Sequence, residues 1–142
     1  MARRQKTILC VDDSESSLNI FKIILEDFGY KVLTASSGRE GLELFVSNAI
    51  DAVILDYQMP GINGEVVAAE MKRMNPRIPI LMLSGCVSLP ESALLLVDEF
   101  VTKGDPVELL LLAVRQVLNR GEKGKSVTAA AQARVASEAR IV

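Results

Sequence analysis

Five side chains able to hold or transfer a charged group stand at the ends of short apolar runs. Residues 8–11 lead to Asp12 and Asp13, 52–55 to Asp56, 80–83 to Ser84, and Phe100-Val101 to Lys103. Runs this short and apolar read as buried strands of an open α/β sheet, whose carboxyl ends share one edge, and ligands bind along that edge. One pocket would then hold three carboxylates, a hydroxyl and an ammonium group. Carboxylates gathered so closely repel one another unless a cation sits among them. The chemistry that suits this set is binding of magnesium and phosphate.

The chain contains no histidine. That excludes Ser-His-Asp and Cys-His nucleophile pairs and any histidine-ligated zinc. If phosphoryl chemistry occurs here, a phosphohistidine donor must be another molecule. Cys10 and Cys86 are too few and too far apart for a structural zinc site. Both lie on or beside expected buried strands, so a reduced, cytoplasmic setting without a disulfide is expected.

The elements that must position these groups alternate. Residues 7–11, 31–35, 51–56, 79–83 and 99–102 read as strands, and 14–28, 37–47, 64–74 and 106–118 as helices. Ser14 or Ser16 is placed to cap the first helix and Gly29 to follow its end. Met59-Pro60-Gly61 is a turn signal, and Asn75-Pro76 stops the third helix. Ser88 and Pro90 open a short fourth helix running to about Val97. The fifth helix is expected to end before Gly121. Such alternation predicts a parallel sheet with helices on both faces.

Length implies one domain. Residues 1–5 read as an N-terminal tail, 6–120 as the folded unit, and 121–142 as a polar linker and alanine-rich tail too short for an effector domain. Sixteen basic against 18 acidic residues, a net charge of −2, does not suggest direct nucleic-acid binding. No apolar run reaches the ~20 residues needed to cross a membrane. In the fifth helix, Leu109, Leu110, Leu111, Leu112, Ala113, Val114, Val117 and Leu118 cover well over half the circumference. A partner should cover the outer side: a homodimer across the fourth-helix to fifth-helix face, or the tail folding back.

Leu55-Asp56-Tyr57-Gln58-Met59-Pro60-Gly61-Ile62-Asn63-Gly64 resembles the phosphoacceptor motif of response-regulator receiver domains of two-component signalling, and a stand-alone receiver is expected. Ile8-Leu9-Cys10-Val11-Asp12-Asp13-Ser14, Ser84-Gly85, Phe100 and Lys103 also stand where that family places functional residues. The likeness covers roughly residues 6–120. It implies a flavodoxin-like, doubly wound sheet of five parallel strands in the order 2-1-3-4-5 with five helices. It implies that Asp56 accepts a phosphoryl group from a partner histidine kinase or histidine phosphotransfer protein. By the same likeness Asp13 and Asp56 hold Mg2+ directly, Asp12 acts through a metal-bound water, and the Gln58 backbone carbonyl adds a ligand. Lys103 and Ser84 meet phosphoryl oxygens, Ser84 and Phe100 form the switch, and a downstream protein target reads the change. The implied role is signalling with self-catalysed phosphotransfer and slow hydrolysis, not turnover of an external substrate.

Three departures stand out. The family usually has proline after the lysine, joined by a cis bond, whereas Gly104 follows Lys103 here. A non-proline cis bond costs about 3 kcal/mol, so a trans bond or a reshaped loop is expected. The segment between Ser84 and Phe100 looks short, which makes the output face unusual. Gln58 and Cys86 occupy the positions two beyond the acceptor and the hydroxyl, where the family tunes dephosphorylation. Two rival readings are an aspartate-nucleophile phosphohydrolase and an interaction module that is never phosphorylated. The first wants a second acid two residues after the nucleophile, where Gln58 stands. The second should have lost acids or the lysine, and none is lost.

Overall fold

The computed structural model describes residues 4–85 and 89–123, with side chains described as far as Arg120. Five strands form: β1 (Thr7–Val11), β2 (Lys31–Ala35), β3 (Ala52–Asp56), β4 (Ile80–Ser84) and β5 (Glu99–Thr102). They alternate with α1 (Glu15–Asp27), α2 (Gly38–Ser47), α3 (Gly64–Met74), α4 (Glu91–Leu94) and α5 (Val107–Lys123). Every pairing is parallel, and the order is β2-β1-β3-β4-β5. This is the flavodoxin-like order that the sequence motifs imply.

Side chains alternate across each strand, so the sheet has two cores. Leu9, Val53, Leu55, Ile80 and Met82 pack with Val67, Ala68 and Met71 of α3 and with Ala93 and Leu94 of α4. Ile8, Cys10, Ile54, Leu81 and Leu83 face the other way, against Leu18 and Leu25 of α1 and the inner stripe of α5. The central strands β1, β3 and β4 are buried along their whole length, which explains their unbroken apolar runs. Ser14 caps α1 by accepting from the Ser17 amide, and Ser37 caps α2 by accepting from the Glu40 amide. Each cap places a helix start at the carboxyl edge of the sheet.

Two helices differ from expectation. α4 is only four residues long, and its cap position, Pro90, makes no side-chain bond; Ser88, the expected cap, lies outside the described residues. The helix cannot continue to Val97 because the chain is tied back to β4. The Asp98 amide donates to the Ile80 carbonyl at 2.8 Å, and the Asp98 carboxylate accepts from the Ile80 amide at 2.8 Å and from Lys72 Nζ at 2.8 Å. α5, in contrast, passes through Gly121 to Lys123. A single helical glycine costs about 1 kcal/mol. Arg120 offsets it by reaching the Asp98 carbonyl at 3.0 Å and Glu99 Oε2 at 3.0 Å.

The apolar girdle of α5 divides. Leu110, Ala113, Val114, Val117 and Leu118 are buried, while Leu109 and Leu112 remain 47% and 50% exposed. The tail expected to fold back on them lies outside the described residues. No helix among the described residues is long and apolar enough to cross a membrane.

Candidate functional site

Parallel strands carry their last residues to one edge, and the reactive residues follow. Asp12 comes directly after β1, Asp56 and Ser84 end β3 and β4, and Lys103 follows β5. Carboxylate oxygens of Asp12, Asp13 and Asp56 all lie within 4.8 Å of one another. Asp12, Asp56 and Ser84 are buried, and Asp13 is exposed at the mouth. Lys103 Nζ lies 3.2 Å from Asp12 Oδ2 and 3.1 Å from Asp56 Oδ2, so one ammonium bridges two carboxylates.

Local backbone sets each group. Asp12 Oδ1 accepts from the Ser14 amide at 2.9 Å, which aims its other oxygen into the cleft. That oxygen, Oδ2, is buried and accepts no hydrogen bond; the Lys103 contact is an ion pair without hydrogen-bond alignment. Asp56 Oδ1 accepts a long bond, 3.3 Å, from the Gln58 amide. Gln58 itself is exposed. The Lys103 amide donates to the Ser84 carbonyl at 2.7 Å, which ties the end of β5 to the end of β4.

Burial pushes the Asp56 carboxyl up to about 6, and the neighbouring Asp12 adds to this, against the pull of Lys103 and the Gln58 amide. Burial works to lower the Lys103 pKa, but Asp56 and Asp12 outweigh it and hold the ammonium above the ordinary lysine value. Asp56 is therefore mostly ionised at neutral pH, yet at an energetic cost. An all-oxygen donor set with a buried carboxylate oxygen that accepts no hydrogen bond fits a hard divalent cation such as Mg2+. Burial, with Asp12, pushes the Cys10 thiol up to about 12, which leaves it an inert core residue.

Phe100 is the sequence-derived candidate that stands apart. It pairs with Met82 across the sheet, is half-buried, and lines a groove of about 200 Å³ with Leu109, Leu112 and Gln116 rather than the acid pocket. No cis peptide bond occurs among the described residues, so Lys103–Gly104 is trans.

One positional requirement escapes a reading of reactive side chains. A Cβ on Gly64 would lie 2.5 Å from the Asp56 carbonyl oxygen and 2.8 Å from Tyr57 Cα. The Gly64 amide also donates to the Tyr57 carbonyl at 2.8 Å. The start of α3 therefore rests directly on the Asp56 peptide. The obstacle is backbone, which cannot turn aside, so Gly64→Ala should destabilise the fold by about 2 kcal/mol in urea denaturation. Parental stability in the variant would show that the contact relaxes freely.

The sequence model for "Response regulator receiver domain" matches residues 8–115. The chain belongs to this family. Among solved structures, a receiver domain protein from Clostridium thermocellum is 34% identical, with 82% of this chain and 97% of that one aligned at a TM-score of 0.76. A CheY-like receiver from Methanospirillum hungatei is 28% identical, with 84% and 98% aligned at 0.81. Response regulator TrrA from Thermotoga maritima, solved in complex with Mg2+-BeF, is 33% identical, with 80% and 99% aligned at 0.76. Response regulator SaeR of Staphylococcus aureus is 34% identical over 119 residues, which is 82% of this chain and 52% of SaeR. The receiver thus spans about half the length of the curated relatives it matches.

Proposed function

We propose that this receiver accepts a phosphoryl group on Asp56 and signals through phosphorylation-dependent protein–protein contacts. The observation that carries the reading is the Lys103 ammonium bridging Asp12 and Asp56 inside a cluster of three carboxylates. Asp13 and Asp56 would hold Mg2+ directly, Asp12 through water, with the Gln58 backbone carbonyl a further ligand. The ion supplies positive charge against the phosphoryl oxygens. TrrA, solved with Mg2+-BeF, is a receiver of similar fold and length that accommodates such a pair.

The remaining work falls to the chain. An ionised Asp56 oxygen attacks phosphorus, the donor's leaving group departs with its bonding electrons, and an acyl phosphate forms. Lys103 releases the carboxylates to pair with one phosphoryl oxygen, and Ser84 donates a hydrogen bond to another. Phe100, beside its groove, couples that movement to the outer surface by packing alone, since it lacks a hydroxyl. The phosphoryl donor is a histidine kinase or histidine phosphotransfer protein, and a downstream protein reads the switched surface. The half-exposed Leu109 and Leu112 support a homodimer through the face of α4 and α5. The setting is cytoplasmic, and the receiver unit spans residues 6–120. Gln58 instead of an acid, two residues beyond Asp56, weighs against turnover of external phosphate esters.

Incubation with Mg2+ and acetyl phosphate, followed by intact mass measurement, tests this. The parent should gain one phosphoryl group and Asp56→Asn none. A parent that gains nothing, or an Asp56→Asn variant that gains as much, refutes the proposal.

A further inference from the structure

We infer that Gly104 is a positioning residue: it holds the one backbone conformation that sets the Lys103 ammonium over Asp12 and Asp56. This rests on the phosphoacceptor reading above.

The Asp105 amide donates to the Thr102 carbonyl at 3.2 Å, closing a four-residue turn over Thr102, Lys103, Gly104 and Asp105. Gly104, third in the turn, has φ +98°, and no residue other than glycine has positive φ among the described residues. Lys103 therefore sits at negative φ, and the turn is type II rather than type I′. Type II demands a positive φ at its third position, which glycine alone adopts without cost. Any other residue favours type I, in which the peptide between the second and third residues is flipped over.

Both flanks of that peptide are anchored. Upstream, Thr102 pairs with Ser84 across the sheet and the Lys103 amide holds the Ser84 carbonyl at 2.7 Å. Downstream, α5 begins at Val107 and is buried through Leu110, Ala113 and Val114. A flipped peptide must then be absorbed at Lys103 itself, which swings its Cα–Cβ bond. The ammonium at the far end of that stem has to meet two oxygens at 3.1 and 3.2 Å.

The space around Gly104 makes the idea separable from packing. A Cβ there would meet nothing within 4 Å. Alanine thus changes only the conformational preference. Asparagine is larger yet tolerates positive φ. A steric account ranks asparagine as worse than alanine, and the turn account ranks it as better.

The test compares the rate of Asp56 phosphorylation at saturating acetyl phosphate and Mg2+, followed by intact mass, with Mg2+ affinity measured by calorimetry. Gly104→Ala should slow the reaction about fivefold, the factor implied by a left-handed alanine. Gly104→Asn should recover most of that loss, and neither should weaken Mg2+ binding. In a Lys103→Met background, Gly104→Ala should add no further loss, because the glycine acts through the lysine. Parental rates in Gly104→Ala, a larger loss in Gly104→Asn, or an undiminished loss in the Lys103→Met background would each overturn the inference. A parent that takes up no phosphoryl group would instead overturn the phosphoacceptor reading beneath it.

Discussion

Lys103→Met should slow phosphorylation of Asp56 by about a hundredfold while leaving Mg2+ binding as tight or tighter. Removing one aligned charged donor from a water-poor site typically costs about 3 kcal/mol of transition-state stabilisation, which is about two powers of ten in rate. The ground state responds in the opposite sense. Lys103 Nζ occupies the space between Asp12 and Asp56, at 3.2 and 3.1 Å, where a divalent cation would also draw its ligands. Lys103 neutralises Asp56, which would hold the metal directly, and Asp12, which would hold it through water, so losing the ammonium should favour the metal. Without metal, two buried carboxylates face each other with their bridging cation gone. The variant should then be less stable than the parent by about 2 kcal/mol, a buried-pair cost discounted for the part-exposed lysine. Millimolar Mg2+ should restore most of it. Rates at saturating acetyl phosphate, Mg2+ calorimetry and urea denaturation with and without Mg2+ measure the three effects. A hundredfold loss accompanied by weaker Mg2+ binding would mean that Lys103 organises the metal ligands instead of competing with the ion.

Asp56→Asn should make the metal-free protein more stable at pH 7.5, although it removes the proposed acceptor. Burial raises the Asp56 carboxyl to about 6, while in the unfolded chain it lies at about 3.9. An acid whose folded-state pKa is raised favours the native state when protonated. That stability is fully present below about pH 4 and is lost as pH rises through about 6. At pH 7.5 the parent bears the cost of an ionised, buried carboxylate, and asparagine does not. The gain should be about 1 kcal/mol, because Lys103 loses one of its two partners at the same time. It should vanish near pH 4 and shrink when Mg2+ stabilises the parent. The parent's Mg2+ affinity should also fall below about pH 6, where protons compete for Asp56. Urea denaturation from pH 4 to 8 reads the sign directly, and a less stable Asp56→Asn at pH 7.5 would contradict it.

The strand ends were legible because two local signals coincide there. A short apolar run marks each buried strand, and parallel strands share polarity, so Asp12, Asp56, Ser84 and Lys103 had to reach one edge. Asp13 followed from its neighbour. The start of α1 and the end of α3 were legible for a related reason, since a serine cap signal stands at the one and Asn75-Pro76 at the other.

What escaped the sequence depends on contacts between distant segments. α4 ends early because Asp98 binds Ile80 and Lys72, 18 and 26 residues away. α5 outruns its glycine because Arg120 reaches back to Asp98, 22 residues away. The lysine could be assigned to the pocket from its place after β5. That it bridges Asp12 and Asp56 evenly was settled by strand register and by a turn whose glycine has φ +98°.

The chain by itself determined which reactive groups exist, their order and the edge they share, because residue type and strand polarity are local properties. Only the tertiary structure decided how those groups are charged against one another. Burial of Asp12 and Asp56 around a single ammonium is a property of the packed sheet, and it is that packing which leaves Asp56 ionised at a cost.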